Sequence, residues 1–153
     1  MASSFEQAGL DLIRKAEVGL YDAAVEVMKA SLKECPLSGP DTYGNLVGDN
    51  GTLRRSAVVA EPTRTGDGSR VVIGYGFGEE ENPRGMKAAE YAVPVHERAE
   101  LRHDPPTKSH FLQDPLLEAA DRVGPFLAEA IRSGDVHPTP VMRGTADGDL
   151  AAE

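Results

Sequence analysis

Residues Ser3–Glu34 read SSFEQAGLDLIRKAEVGLYDAAVEVMKASLKE, and the periodicity of this stretch decides the fold. Apolar residues recur at Ile13, Ala16, Leu20, Ala23 and Val27, while Asp11, Lys15, Asp22, Glu26, Lys29 and Lys33 fall mostly on the other side. Steps of three and four make one long amphipathic helix with a single core-facing stripe. Ser3 and Glu6 are spaced for a capping box, in which each residue's side chain satisfies the other's free amide. Cys35-Pro36 stops the helix, because a residue before proline avoids the helical region. The stripe is rich in alanine, so a neighbouring element can approach closely.

The next segment, 36–52, holds Pro36, Gly39, Pro40, Gly44, Asn45, Gly48, Asp49, Asn50 and Gly51, and reads as an irregular loop. Thr52-Leu53-Arg54-Arg55-Ser56 then leads into a β segment. Ala57–Ala60 and Arg70–Tyr75 are short apolar runs separated by Pro62-Thr-Arg-Thr-Gly66-Asp67-Gly68-Ser69, the turn chemistry of a β-hairpin with a mobile tip. Residues 76–90 are Gly-rich and acidic, and read as a surface loop. Tyr91–Val95 is apolar and broken by Pro94, hence an edge strand or a single helical turn. Asp114-Pro115 opens a second helix, with Asp as cap and Pro at the first position. Its apolar positions are Leu116, Ala120, Val123, Leu127 and Ile131, with a kink at Gly124-Pro125 and a stop at Ser133-Gly134. The fold class is α+β: a long N-terminal helix and a kinked C-terminal helix packed on a small antiparallel sheet. Residues 1–133 form the domain, and 134–153 form a polar tail or arm whose composition reads as disordered.

Composition narrows the function. The chain has 153 residues, a length that fits one domain, and a net charge of −9 from 16 basic and 25 acidic residues. Proteins that grip nucleic-acid phosphates cluster Lys and Arg instead. Aromatics are 5% with no Trp, so large core anchors are scarce and an aromatic ligand platform is not expected. Cys35 is the only cysteine, which excludes an intrachain disulfide and a cysteine zinc site and fits a reducing compartment. As a nucleophile, Cys35 lacks a nearby paired histidine pattern. There is no basic-then-apolar leader and no run near the ~20 apolar residues of a membrane span.

Few motifs point to chemistry. His96, His103 and His110 recur every seven residues, and Glu97 and Asp104 follow two of them. Heptad spacing aligns side chains only along a continuous helix, which Pro105-Pro106 forbid, so surface or interface histidines outweigh a metal site. Gly74-Tyr-Gly76-Phe-Gly78 imitates a phosphate loop, but Glu79, Glu80 and Glu81 follow it and would repel an anion. No acid/base pair, nucleophile elbow or P-loop is present, and neither catalysis nor a cofactor nor a metal is expected. Arg54 and Arg55 are either solvated charge or one side of an inter-subunit seam with an acidic loop such as Glu79–Glu81.

The order of blocks carries a resemblance. Gly51-Thr-Leu-Arg54-Arg55-Ser56 is followed by Val72-Ile73-Gly74-Tyr75, then by Tyr91-Ala92-Val93-Pro94-Val95-His96-Glu97. Lys108-Ser-His-Phe111-Leu112-Gln113-Asp114-Pro115-Leu116 comes last. Over roughly residues 5 to 132 this resembles the head-to-tail joining family of tailed bacteriophages, its neck, minor capsid or tail-component proteins. The resemblance implies a non-enzymatic virion protein made in the bacterial cytoplasm. It implies a homo-oligomeric ring of roughly six or twelve copies between portal-side and tail-side proteins. Double-stranded DNA passes through such a ring without specific binding, and no membrane is involved. In that setting Thr65, Gly66 and Asp67 at the hairpin tip, Glu79–Glu81, Arg54, Arg55, His96 and Glu97 are candidate contacts between subunits. His96-Glu97 orients the following loop, and the tail lies as an arm on an adjacent subunit. Phe111 and Leu112 anchor the last helix over Tyr91 and Val95. The runner-up roles are a tail terminator or a head-completion stopper of the same conduit. Readings of a different class are a small enzyme or metal-binding protein using His96, His103 and His110, or an acidic DNA mimic.

Overall fold

The computed structural model describes residues 3–36, 51–83, 85–100 and 106–153. The first helix forms as its pattern requires. In α1 (Ser4–Glu34) the Glu6 amide donates to Ser3 Oγ at 3.3 Å, and the Ser3 amide donates to Glu6 Oε2 at 2.5 Å. Cys35 is extended, its amide donates to the Ser31 carbonyl, and the helix stops before Pro36. The helix buries one side only from Val18 onward, through Val18, Tyr21, Val27, Met28 and Leu32. Residues 3–14 are exposed throughout.

After Gly51, in the left-handed region at φ 86°, the chain makes a single helical turn, α2 (Thr52–Arg55), where a strand approach was expected. Two contacts bend it. The Leu53 side chain is buried in a cluster with Cys35, Ala88, Ala92 and Phe111. The Arg54 guanidinium donates twice to the Cys35 carbonyl, at 2.8 and 3.1 Å.

The hairpin is present with shorter strands than its apolar runs. β1 (Val58–Val59) pairs antiparallel with β4 (Ile73–Gly74), Val58 opposite Gly74 and Val59 opposite Ile73. The connecting turn is itself a small hairpin, β2 (Thr63–Thr65) with β3 (Gly68–Arg70), closed over Gly66-Asp67. The polar tail is a correction. Residues 134–153 do not lie outside the domain: β5 (Met142–Gly144) pairs with the free side of β1, and β6 (Leu150–Ala152) pairs with β5. The sheet order is β4-β1-β5-β6, all antiparallel. Met142 and Leu150 pack against the core of Tyr21, Met28, Leu32, Ala57 and Val59, which makes up for the polar composition. Gly144 is required there, since a Cβ would sit 1.9 Å from the Arg54 carbonyl oxygen. The turn between β5 and β6 uses Gly148 at φ 90°.

Tyr91–Val95 belongs to a ten-residue helix, α3 (Ala88–Glu97), with Pro94 inside it. Burial of Ala88 and Ala92 against Leu53 and Phe111 outweighs the one backbone hydrogen bond the proline removes. α4 (Gln113–Ser133) is capped at Leu112, two residues before the expected cap, and Asp114 and Pro115 lie in its first turn, where no amide needs an intrahelical acceptor. It runs through Gly124-Pro125 and ends at Gly134, φ 69°. It packs chiefly along α1 rather than on the sheet. Gly19 permits this, because a Cβ there would lie 2.9 Å from both Ala130 Cβ and the Phe126 carbonyl oxygen. The buried positions of α4 are Pro115, Ala119 and Ala130, one step round from its apolar stripe, so Leu116 and Ile131 remain exposed. The resulting fold is α+β. No helix among the described residues is long and apolar enough to cross a membrane.

Phe111 is 1% exposed, so Phe111→Ala should cost about 3–5 kcal/mol in denaturant titration. A loss well under 1 kcal/mol would remove it as an anchor. Gly144→Ala should cost about 1–3 kcal/mol, the range for forcing a methyl into a packed site. Hydrogen exchange at residues 142–144 should accelerate with it.

Candidate functional site

The charged motif residues are tied within one chain. Arg54 points inward and holds the end of α1 through the Cys35 carbonyl, so it is not free for a seam. Arg55 pairs with Glu80 at 2.6 Å and Lys87 with Glu79, across the loop between β4 and α3. Arg55 thus meets the acidic run within its own chain, where the expectation was a pair across a seam between subunits. Glu81 forms an isolated bridge with Lys87. The ammonium of Lys87 holds the Glu79 carboxyl below the usual carboxylate range. Beside Arg55 is a groove of about 320 Å³ that also receives the Arg143–Glu153 pair at 3.4 Å, with Phe77 on its wall.

The hairpin tip is anchored in the same way. Arg64 makes a bidentate pair with Glu17, at 2.6 and 2.9 Å, and Ser69 donates to the same carboxylate at 2.7 Å. Fork-to-carboxylate geometry is the strongest form of this contact. Arg64 and Ser69 hold Glu17 below its ordinary range, against the opposing effect of burial. Thr65 Oγ1 donates to the Gly68 carbonyl, and Gly66 and Asp67 are exposed. Beneath the tip runs a second groove of about 510 Å³, floored by Ile13, Ala16, Leu20 and Leu127.

The histidines divide. His103 lies outside the described residues. His96 Nε2 accepts from the Gln113 amide at 3.3 Å, so its Nδ1 carries the proton and donates to Glu97 Oε1 at 2.6 Å. His96 thus caps α4 in place of the expected Asp114, and both ring nitrogens are committed. Its carbonyl accepts from the His110 amide at 2.7 Å, with His110 at φ 55°. The rings of His96 and His110 meet edge-on at 5.6 Å. His110 Nε2 is 3.9 Å from Glu97. Among the described residues, no group of three His, Cys, Asp or Glu could hold a metal ion.

Phe111 is wedged between Tyr75 and His96, with ring centroids 5.1 and 5.0 Å away, and Leu112, Tyr91 and Val95 pack on the same cluster. The Cys35 side chain is fully buried beside them and is inaccessible to a substrate. Burial pushes the Tyr75 phenol far up; it shares a 2.8 Å hydrogen bond with Ser31.

Several large apolar side chains among the described residues are exposed. Phe5 is 88% exposed, Leu12 51% and Ile13 43%, all on the free half of α1. On α4, Leu117 is 63% exposed. The expected stripe of α4 did not locate this surface, because its apolar face was assigned wholly to the core.

Two contacts lay outside the sequence reading because the tail had no assigned structure. Tyr21 donates its hydroxyl to the Pro140 carbonyl at 2.6 Å, and His137 Nε2 is 3.2 Å from Asp22. Asp147-Gly148, a common hairpin dipeptide, was the available signal that the chain turns back here.

The Pro138 carbonyl and the Asp22 carboxylate raise the His137 pKa above its ordinary value, with Asp135 adding to the effect. A raised folded pKa contributes stability that is fully present below the unfolded pKa and is lost as pH rises through the folded one. A histidine-resolved NMR titration should therefore place His137 above the usual histidine range. Asp22→Asn should bring it down and loosen residues 137–140 at mildly acidic pH.

No family model, no curated protein and no solved structure matches this chain.

Proposed function

We propose that the chain is a structural subunit of a tailed-phage virion, one copy of a ring at the head–tail junction that joins portal-side proteins to the tail. The observation that carries this reading is where the signature blocks go. Leu53 of the first block, Tyr75 of the second, Tyr91, Ala92 and Val95 of the third and Phe111 of the fourth meet in one buried cluster. Their shared task is to hold a subunit together, which fits a family defined by shape. The ion pairs of Arg55, Arg64 and Lys87 make the surface loops firm. Among the exposed apolar residues, Phe5 and Leu12 of α1 and Leu117 of α4 lie on the two long helices, which fits a chain that buries more surface by association.

The net charge of −9 takes on a use in this setting. Copies arranged round a channel sum to a negative field, and like charge keeps passing DNA from adhering to the wall. Double-stranded DNA is then a neighbour that slides. No cofactor takes part.

Removing the gene from the phage that encodes it tests the role. The expected result is DNA-filled heads and finished tails that stay unjoined until the intact gene is restored. Tails of uncontrolled length would make the chain a terminator, and heads that lose their DNA would make it a stopper. Normal infectious particles would overturn a structural role. One tightly bound metal ion per purified chain would favour the histidine-site class.

A further inference from the structure

We propose that His96 is a proton-operated catch at the start of α4: neutral, its ring holds the first amide of the helix, and protonated, it releases that amide and turns to the Asp114 carboxylate. The catch belongs to the single chain and does not depend on the ring reading above.

The first turn of a helix leaves its amides without intrahelical acceptors. In α4 most of these positions need no ionisable group. The Asp114 amide donates to the His110 carbonyl at 2.9 Å, and the Leu116 amide reaches the Leu112 carbonyl at 3.2 Å. Pro115 has no amide to place. The Gln113 amide goes to a side chain, His96 Nε2 at 3.3 Å, and meets no other acceptor among the described residues. The ring is set for this task. Nδ1 donates to Glu97 Oε1 at 2.6 Å, which leaves Nε2 bare, and Phe111 lies edge-on to it at 5.0 Å. The His96 side chain is 17% exposed, so protons reach it from solvent.

Histidine is the side chain whose ordinary charge change falls between about pH 5 and 8. An imidazolium carries a proton on both nitrogens, so Nε2 stops accepting and becomes a donor. It also sets positive charge against the positive end of a helix. The charged groups around the ring decide where it turns. From α3, Glu97 keeps Nδ1–H in both states, so the ring pivots about that bond. From the segment before α4, His110 stands edge-on at 5.6 Å, and Lys108 brings an ammonium. From α4 itself, Asp114 follows the released amide directly. Lys108 holds the Asp114 carboxyl below its ordinary range, with His110 and His96 adding to the effect, so it is ionised and able to accept. A charge-assisted hydrogen bond then replaces the amide one, and the change is of partners rather than of overall stability. Its consequence falls on the junction between helices. Lys108 ties Asp114, at 2.9 Å, to Glu34 at the end of α1, at 3.1 Å. An imidazolium on Asp114 competes with that tie, so acid loosens the start of α4 while the Phe111 cluster stays closed.

NMR titration of the full-length, isotope-labelled chain from about pH 8 to about pH 5 tests the catch. At the upper end the His96 ring nitrogens should show the Nδ1–H form. As the ring takes up its proton, the Gln113 amide proton should move upfield and lose about fivefold of its protection from exchange. The Asp114 carboxyl carbon should shift with it, and all three should share the midpoint of the His96 ring. His96→Gln keeps an acceptor and carries no titrating group, so it should abolish the pH response of Gln113, whereas His110→Gln should leave that response in place. The wild-type titration decides alone if His96→Gln does not fold. An Nε2–H ring at the upper end would overturn the proposal. So would a Gln113 amide that ignores pH, that follows His110 or the carboxylates instead of His96, or that still responds in a folded His96→Gln chain. An Asp114 carbon that stays still while the ring titrates would overturn the exchange of partners.

Discussion

Phe111 is the side chain on which distant pieces of this chain close. It is nearly fully buried, its ring edge-on to Tyr75 and to His96. Through it the C-terminal end of α1 at Cys35, the turn at Leu53 and the small face of α3 at Ala88 and Ala92 share one cluster. In a protein with 5% aromatic residues and no Trp, one such ring supplies much of the packing that several would share elsewhere. The polar contacts are arranged round it. Arg54 holds the Cys35 carbonyl, His96 holds the first amide of α4, and Lys108 bridges Glu34 and Asp114 at 3.1 and 2.9 Å. The beginning of α4 is thereby fastened to the end of α1, and the two helices then run together where Gly19 lets them touch.

The sequence showed most clearly what rests on local chemistry. The Ser3–Glu6 box, the Pro36 stop, the hairpin turn at Gly66-Asp67 and the Gly134 stop are each written in a few adjacent residues. The elements it misjudged are those decided by distant partners. Thr52–Arg55 coils because Leu53 and Arg54 have buried partners far away in the chain. Pro94 is tolerated because Ala88 and Ala92 are covered. The polar tail folds because β1 has a vacant edge and Gly144 alone fits over the Arg54 carbonyl. No periodicity within residues 134–153 encodes that edge.

The candidate contacts followed the same division. Opposite charge suggested that Arg55 and the acidic loop could meet, but charge does not say whether such a pair lies within one chain, as Arg55–Glu80 does, or between two. Arg64, Glu17 and Ser69 form a tighter group than any the sequence singled out, because hairpin and helix meet only in the fold. The anchoring roles of Phe111, Leu112, Tyr91 and Val95 were legible, since large apolar residues are few and have few places to go. Phe5, Leu12 and Ile13 of α1 and Leu116, Leu117 and Ile131 of α4 are exposed although they lie on the two long helices.

The most direct measurement is imaging of assembled particles with this chain located by its fold. A ring of copies at the junction between portal and tail, each showing the long α1 and the four-stranded sheet, is the expected result. Absence of the chain from purified particles would contradict a structural role at that junction.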